Sequence, residues 1–74
     1  MYLVYTKDNC TYCDQAKSLL EQRGIPYQAL KLGEDITRDE LLAKIPTART
    51  MPQIVKDDRV IGGFVELRKE LLAA

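Results

Sequence analysis

The chain has 74 residues, 46% of them hydrophobic, with 11 basic and 11 acidic side chains and a formal net charge of zero. That length suits one domain spanning residues 1–74, which buries about 60% of the unfolded chain's surface and so has a small core. The charge balance speaks against a nucleic-acid or membrane-surface binder, and no apolar run approaches the roughly 20 residues that span a bilayer.

Met1 to Thr6 is rich in β-branched and aromatic residues and reads as a buried strand, β1. Lys7-Asp8-Asn9 is a polar turn. Ala16, Leu19, Leu20 and Arg23 then recur at helical spacing, which predicts an amphipathic helix, α1, from about Thr11 to Arg23. Gly24 fits its C-cap, and Pro26 prevents continuation. Tyr27 to Leu32 alternates as a weaker strand, β2. Thr37 and Glu40 match a capping box, opening a short helix, α2, that carries Leu41, Leu42 and Ile45 and ends at or before Pro46. Thr47 to Met51 is a loop. Gln53–Lys56 (β3) and Arg59–Ile61 (β4) flank the two-residue turn Asp57-Asp58 and form an antiparallel hairpin. Gly62-Gly63 breaks the chain before a last helix, α3, marked by Phe64, Leu67, Leu71 and Leu72. The order is βαβαββα, and the helix joining the first two strands makes them parallel with a right-handed crossover.

The only two cysteines, Cys10 and Cys13, are spaced C-x-x-C at the turn between the first strand and the first helix. The N-terminus lacks a charged n-region and a cleavage site, so no signal peptide and a cytoplasmic location are expected. In that reducing compartment cysteines are catalytic or metal-binding more often than structural. A two-residue loop gains little from a cross-link, which weakens the structural reading. Zinc asks for four ligands from Cys and His, and a chain with two cysteines and no histidine does not supply them, so no metal is expected within one monomer. A metal or cluster shared between two chains stays open. The redox reading explains more. Cys10 at a helix N-terminus is favoured as thiolate, below the free-thiol pKa of about 8.5, and Lys7 adds positive charge if it folds back. Cys13, one turn on and more buried, is within reach as a second thiol.

Tyr5-Thr6-Lys7, Cys10-Thr11-Tyr12-Cys13, Ala16-Lys17, Thr50-Met51-Pro52-Gln53-Ile54 and Ile61-Gly62-Gly63-Phe64 together resemble a dithiol glutaredoxin of the C-x-Y-C type, in the family's order and over nearly the whole chain. The resemblance implies an α/β thioredoxin-like fold, a four-stranded mixed sheet of order β2-β1-β3-β4 flanked by three helices. It implies a glutathione-disulfide oxidoreductase that reduces protein disulfides and glutathione mixed disulfides. Glutathione is then a co-substrate, with no tightly bound cofactor, and the protein is expected to be a monomer. Ribonucleotide reductase is the expected protein partner among disulfide-containing proteins. Cys10 becomes the nucleophile and Cys13 the resolving thiol. Tyr12 shapes the surface around them. Thr50 and Met51 present the Met51 backbone to the cysteinyl part of glutathione, Lys7 and Arg49 meet its glycyl carboxylate, and Gly62-Gly63 let backbone approach the γ-glutamyl end. The likeness also implies a cis Met51-Pro52 bond; read alone, Pro52 is a trans, strand-starting proline and Gly62-Gly63 a simple turn.

Three positions depart from the family pattern. Thr11 stands where proline is usual, leaving an amide and a hydroxyl near Cys10. Val65 and Glu66 stand where Ser, Thr or Asp followed by Asp is usual. Valine cannot cap the last helix through its side chain, so Val65 carries over as a backbone contact, and Glu66 keeps the negative charge on a longer arm. This departure supports an alternative, a glutaredoxin-like redoxin reduced by thioredoxin reductase. A further alternative is an iron–sulfur cluster carrier, against which Cys13 speaks.

Overall fold

The computed structural model describes residues 1–73. In chain order it contains β1 (Tyr2–Thr6), α1 (Thr11–Gln22), β2 (Tyr27–Lys31), α2 (Arg38–Lys44), β3 (Gln53–Lys56), β4 (Arg59–Gly62) and α3 (Phe64–Ala73). The four strands form one sheet of order β2-β1-β3-β4. β1 runs parallel to β2 and antiparallel to β3, and β3 pairs antiparallel with β4. This is the architecture expected from the sequence, with strand ends shifted by a residue.

The period-two alternation of β1 and β3 divides the core in two. Tyr2, Val4 and Ile54 point to one face, where they pack with Ala16 and Leu20 of α1 and Leu67 and Leu71 of α3. Tyr5 and Val55 point to the other, against Ile36 and against Leu41 and Ile45 at α2. Leu72, expected among the apolar markers of α3, is 62% exposed. A 100° step beyond Leu71 carries it off the buried stripe.

Local signals fix the element ends. Beyond α1, Gly24 takes φ +66°; its amide donates to Glu21 (3.0 Å), and that of Ile25 donates to Leu20 (2.9 Å), a Schellman motif. α2 opens on a complete capping box: the Glu40 amide donates to Thr37 Oγ1 (3.1 Å) and the Thr37 amide to Glu40 Oε1 (2.9 Å). Asp57 and Asp58, both at positive φ (48° and 66°), make the tight turn between β3 and β4. Ile54 pairs with Gly62 and Val55 with Val60, so the register slips by one residue at Ile61. That bulge bends β4 as it leads into Gly62-Gly63 and the start of α3.

Candidate active site

β1 ends at Thr6, buried in the sheet, and the chain turns through Lys7, Asp8 and Asn9, the last at φ +54°. Asp8 anchors this turn to the end of β2 through Lys31 Nζ at 2.7 Å, which Glu34 also approaches at 3.2 Å. Hydrogen bonds from Lys31 to those two carboxylates raise its pKa above the usual lysine value.

Cys10 is the N-cap of α1, in extended conformation (φ −120°, ψ 99°). Its Sγ accepts the Cys13 amide at 3.1 Å, the bond a capping Ser or Asp oxygen would take. Cys13 lies one turn further along at 1% exposure, while Cys10 is half-buried. The two sulfurs are joined as a disulfide. Cys10 Sγ lies 3.7 Å from the Met51 carbonyl oxygen, a contact in the disulfide and a hydrogen-bonding distance for the reduced thiol. A sulfur that receives a backbone N–H at the positive end of a 12-residue helix is better stabilised as thiolate than as thiol.

Two grooves meet at Thr50 and Met51, the latter being the residue whose carbonyl lies beside this sulfur. One, of about 400 Å³, is lined by Lys7, Arg38 and Arg49 over an apolar floor of Leu41, Leu42 and Leu32. The other, of about 220 Å³, is lined by Tyr12, Pro52, Gly63, Val65 and Glu66, with the Phe64 ring. Tyr12, 59% exposed, stacks on Phe64 with ring centroids 5.8 Å apart and planes 27° apart. The Met51-Pro52 bond is cis. Gln53, buried just after it, donates from Nε2 to the Thr50 carbonyl at 2.7 Å and so ties down the segment common to both grooves.

Of the sequence-derived site residues, all but Gly62 gather at the dithiol or in these grooves. Gly62 lines neither. It ends β4 at φ +125°, and a Cβ there would fall 2.8 Å from Glu66 Cγ. Its smallness therefore accommodates Glu66. The capping of α3 also differs from expectation. The helix starts at Phe64, so Gly63 is at the cap and Val65 lies within the first turn. Glu66 reaches back and accepts the Gly63 amide at 2.8 Å, which supplies half of a capping box without a side chain from Val65. Arg38, Phe64 and Gln53 were not picked out from sequence as site residues. Arg38 directly follows the capping Thr37, but only the packing of α2 beside the 47–51 loop brings it to the groove. Among the described residues no three His, Cys, Asp or Glu side chains cluster to hold a metal ion.

A half-buried thiol at a helix N-terminus, with a buried second thiol behind it on a β2-β1-β3-β4 sheet, defines a dithiol–disulfide oxidoreductase of thioredoxin fold. The glutaredoxin family model matches residues 3–61. Glutaredoxin 3 of Escherichia coli K12 is 38% identical over 64 residues, 86% of this chain and 77% of that protein. Glutaredoxin 1 of Rickettsia conorii is 32% identical over 74 residues, 92% and 72% of the two chains. Among solved structures, Francisella tularensis glutaredoxin 1 complexed with cacodylate superposes with a TM-score of 0.79 at 28% identity, covering 99% of this chain and 96% of that one. A buckwheat glutaredoxin in complex with glutathione gives 0.83 at 27% identity, covering 97% and 68%. The chain belongs to the glutaredoxin family, and its activity class is thiol–disulfide oxidoreduction.

Proposed function

We propose that this glutaredoxin is a glutathione-dependent reductase of protein disulfides and glutathione mixed disulfides, with Cys10 as nucleophile and Cys13 as resolving thiol. The observation that carries the reading is the seat of Cys10 Sγ. It lies between the Cys13 amide and the Met51 carbonyl, where a cationic and a partly apolar groove meet. The Cys10 thiolate attacks one sulfur of the substrate disulfide; that S–S bond breaks, and the leaving thiolate takes a proton. Cys13, as thiolate, then attacks Cys10 Sγ, forms the internal disulfide and releases the second substrate thiol. Two glutathione thiols return two electrons: the first opens the Cys10–Cys13 bond, and the second removes the glutathionyl group as glutathione disulfide.

A tripeptide lying along Met51 would place its glycyl carboxylate by Lys7 and Arg49, with Arg38 as a third cation, and its γ-glutamyl end by Tyr12, Pro52, Gly63, Val65 and Glu66. The buckwheat complex supports glutathione as the ligand of this surface. Family likeness alone supports a cytoplasmic monomer that serves ribonucleotide reductase. A second reading, reduction by thioredoxin reductase, is favoured by one observation. The groove proposed for the γ-glutamyl end is lined by Val65, which offers no polar side chain, and the carboxylate of the adjacent Glu66 already accepts the Gly63 amide.

The deciding experiment is an electron-donor assay on a small mixed disulfide. Turnover that requires glutathione and glutathione reductase supports the first reading; turnover with thioredoxin reductase alone defeats it.

A further inference from the structure

The cationic groove holds more charge and more space than a glycyl carboxylate uses. Lys7, Arg38 and Arg49 all line it, no Asp or Glu does, and none of the three cations is ion-paired among the described residues. Asp8 and Glu34 are engaged with Lys31, and Glu40 with the Thr37 amide. In a chain of zero net charge this is a local imbalance. The groove's volume, about 400 Å³, falls in the range that accommodates a drug-sized ligand, far beyond one glycine. Its floor of Leu41, Leu42 and Leu32 suits the methylene stem of an acidic side chain.

We infer that this groove is a docking surface for an acidic peptide segment that immediately follows the reacting cysteine of a protein substrate. The inference rests on the glutathione reading for chain direction. Glycine follows cysteine in glutathione, so a polypeptide bound in the same sense along Met51 sends its next residues between Lys7, Arg38 and Arg49. Charges of this kind act on encounter rate and on the choice among partners more than on total affinity.

The test uses three end-blocked peptides in which one cysteine is followed by Glu-Glu, Ser-Ser or Lys-Lys, each as its mixed disulfide with thionitrobenzoate. Reduced protein converts each to free peptide thiol and coloured thionitrobenzoate as Cys10 and Cys13 become the disulfide, so every turnover balances two electrons. The expected order of second-order rate constants is acidic, neutral, basic, with about two- to thirtyfold at each step from two exposed ion pairs. The spread narrows with added salt, because the pairs are solvent-exposed. Arg38→Glu, and independently Arg49→Glu, flattens or inverts the order; both positions are exposed, so folding is retained. Equal rate constants for the three peptides overturn the inference, as does an order that survives both substitutions. A glutathione mixed disulfide is assayed in parallel. If it is turned over while the peptide series is flat, the groove assignment alone fails. If it is not turned over while the peptide order holds, the glutathione reading fails and the groove assignment stands.

Discussion

Gln53→Glu is the most discriminating single substitution on the chain, because it keeps shape and changes only what the buried amide can donate. Gln53 is 8% exposed and donates to the Thr50 carbonyl at 2.7 Å. Loss of that bond costs about 1 kcal/mol, and a carboxylate held against a carbonyl in a buried site adds roughly 1–3 kcal/mol more. The sum, about 2–4 kcal/mol, is a large part of the roughly 4–11 kcal/mol that a 74-residue domain has to lose, and it lowers Tm by roughly 10–30 °C. The cost is pH-dependent with a definite sign. Burial and the facing carbonyl both favour the protonated acid, so the introduced carboxyl has a raised pKa in the folded state. Between the unfolded value of about 4.3 and that raised value the folded protein holds more protons, so stability falls as pH rises. Below the unfolded value the acid O–H replaces the lost donor and the defect is small. Urea unfolding of wild type and variant at about pH 4 and about pH 8 reads this difference directly, and Gln53→Met, with no titratable group, should show a pH-independent loss of about 1 kcal/mol. Gln53→Met should also raise KM for a mixed disulfide by up to about fivefold with kcat unchanged, because the Thr50-Met51 segment is held less firmly. A pH-independent defect in Gln53→Glu, or one under about 0.5 kcal/mol at about pH 8, refutes the assigned hydrogen bond.

Cys13→Ser should keep turnover of glutathione mixed disulfides and lose reduction of protein disulfides, whereas Cys10→Ser should lose both; the two substrates assayed side by side check this. Leu67→Ala, at a position with 0% exposure between α1 and the sheet, should cost about 2–5 kcal/mol by urea unfolding, with the disulfide-exchange chemistry intact in the fraction that stays folded. Thr37→Ala should remove about 1 kcal/mol by breaking the α2 capping box. The partner of Thr37 gives that box a pH signature. Hydrogen bonds from the Thr37 backbone and side chain hold the Glu40 carboxyl below its usual 4.5, so its contribution is present above that value and is lost as pH falls through the lower folded pKa. Glu40→Gln should flatten the wild-type loss of stability in that acid window, as measured by the urea midpoint.

What could be read from the chain without coordinates was whatever depends on neighbours in sequence. The capping box at Thr37 and Glu40, the turn at Asp57-Asp58 and the stop at Gly24 each need only three or four residues in the right order, and each is present as expected. Cys10 and Cys13 were legible for the same reason, since a C-x-x-C spacing is itself one helical turn. Arg38 and Phe64 were not. Arg38 is eleven residues before Arg49 and thirty-one after Lys7, and only the packing of α2 beside the 47–51 loop makes them line one groove. Phe64 meets Tyr12 across the seam between α3 and α1, a juxtaposition that no spacing encodes.

Gly62 and Glu66 lie between these cases. Taken singly, Gly62 suggested room for a ligand and Glu66 a charge for it, yet the structure couples them. The spacing from Gly63 to Glu66 is the same i to i+3 interval as Thr37 to Glu40, but glycine supplies no hydroxyl, so only the carboxylate half of the box forms. For that half to form, the Glu66 arm must lie against the end of β4, where a side chain at position 62 would meet its Cγ at 2.8 Å. At Val65-Glu66 the negative charge is drawn onto the Gly63 amide and positioned by the absence of a Cβ four residues earlier. The start of α3 depends on this carboxylate; if the proposed glutathione reading holds, the γ-glutamyl end of the ligand depends on it too, and a substitution at Glu66 should then move both the stability of the helix start and KM for a glutathione mixed disulfide.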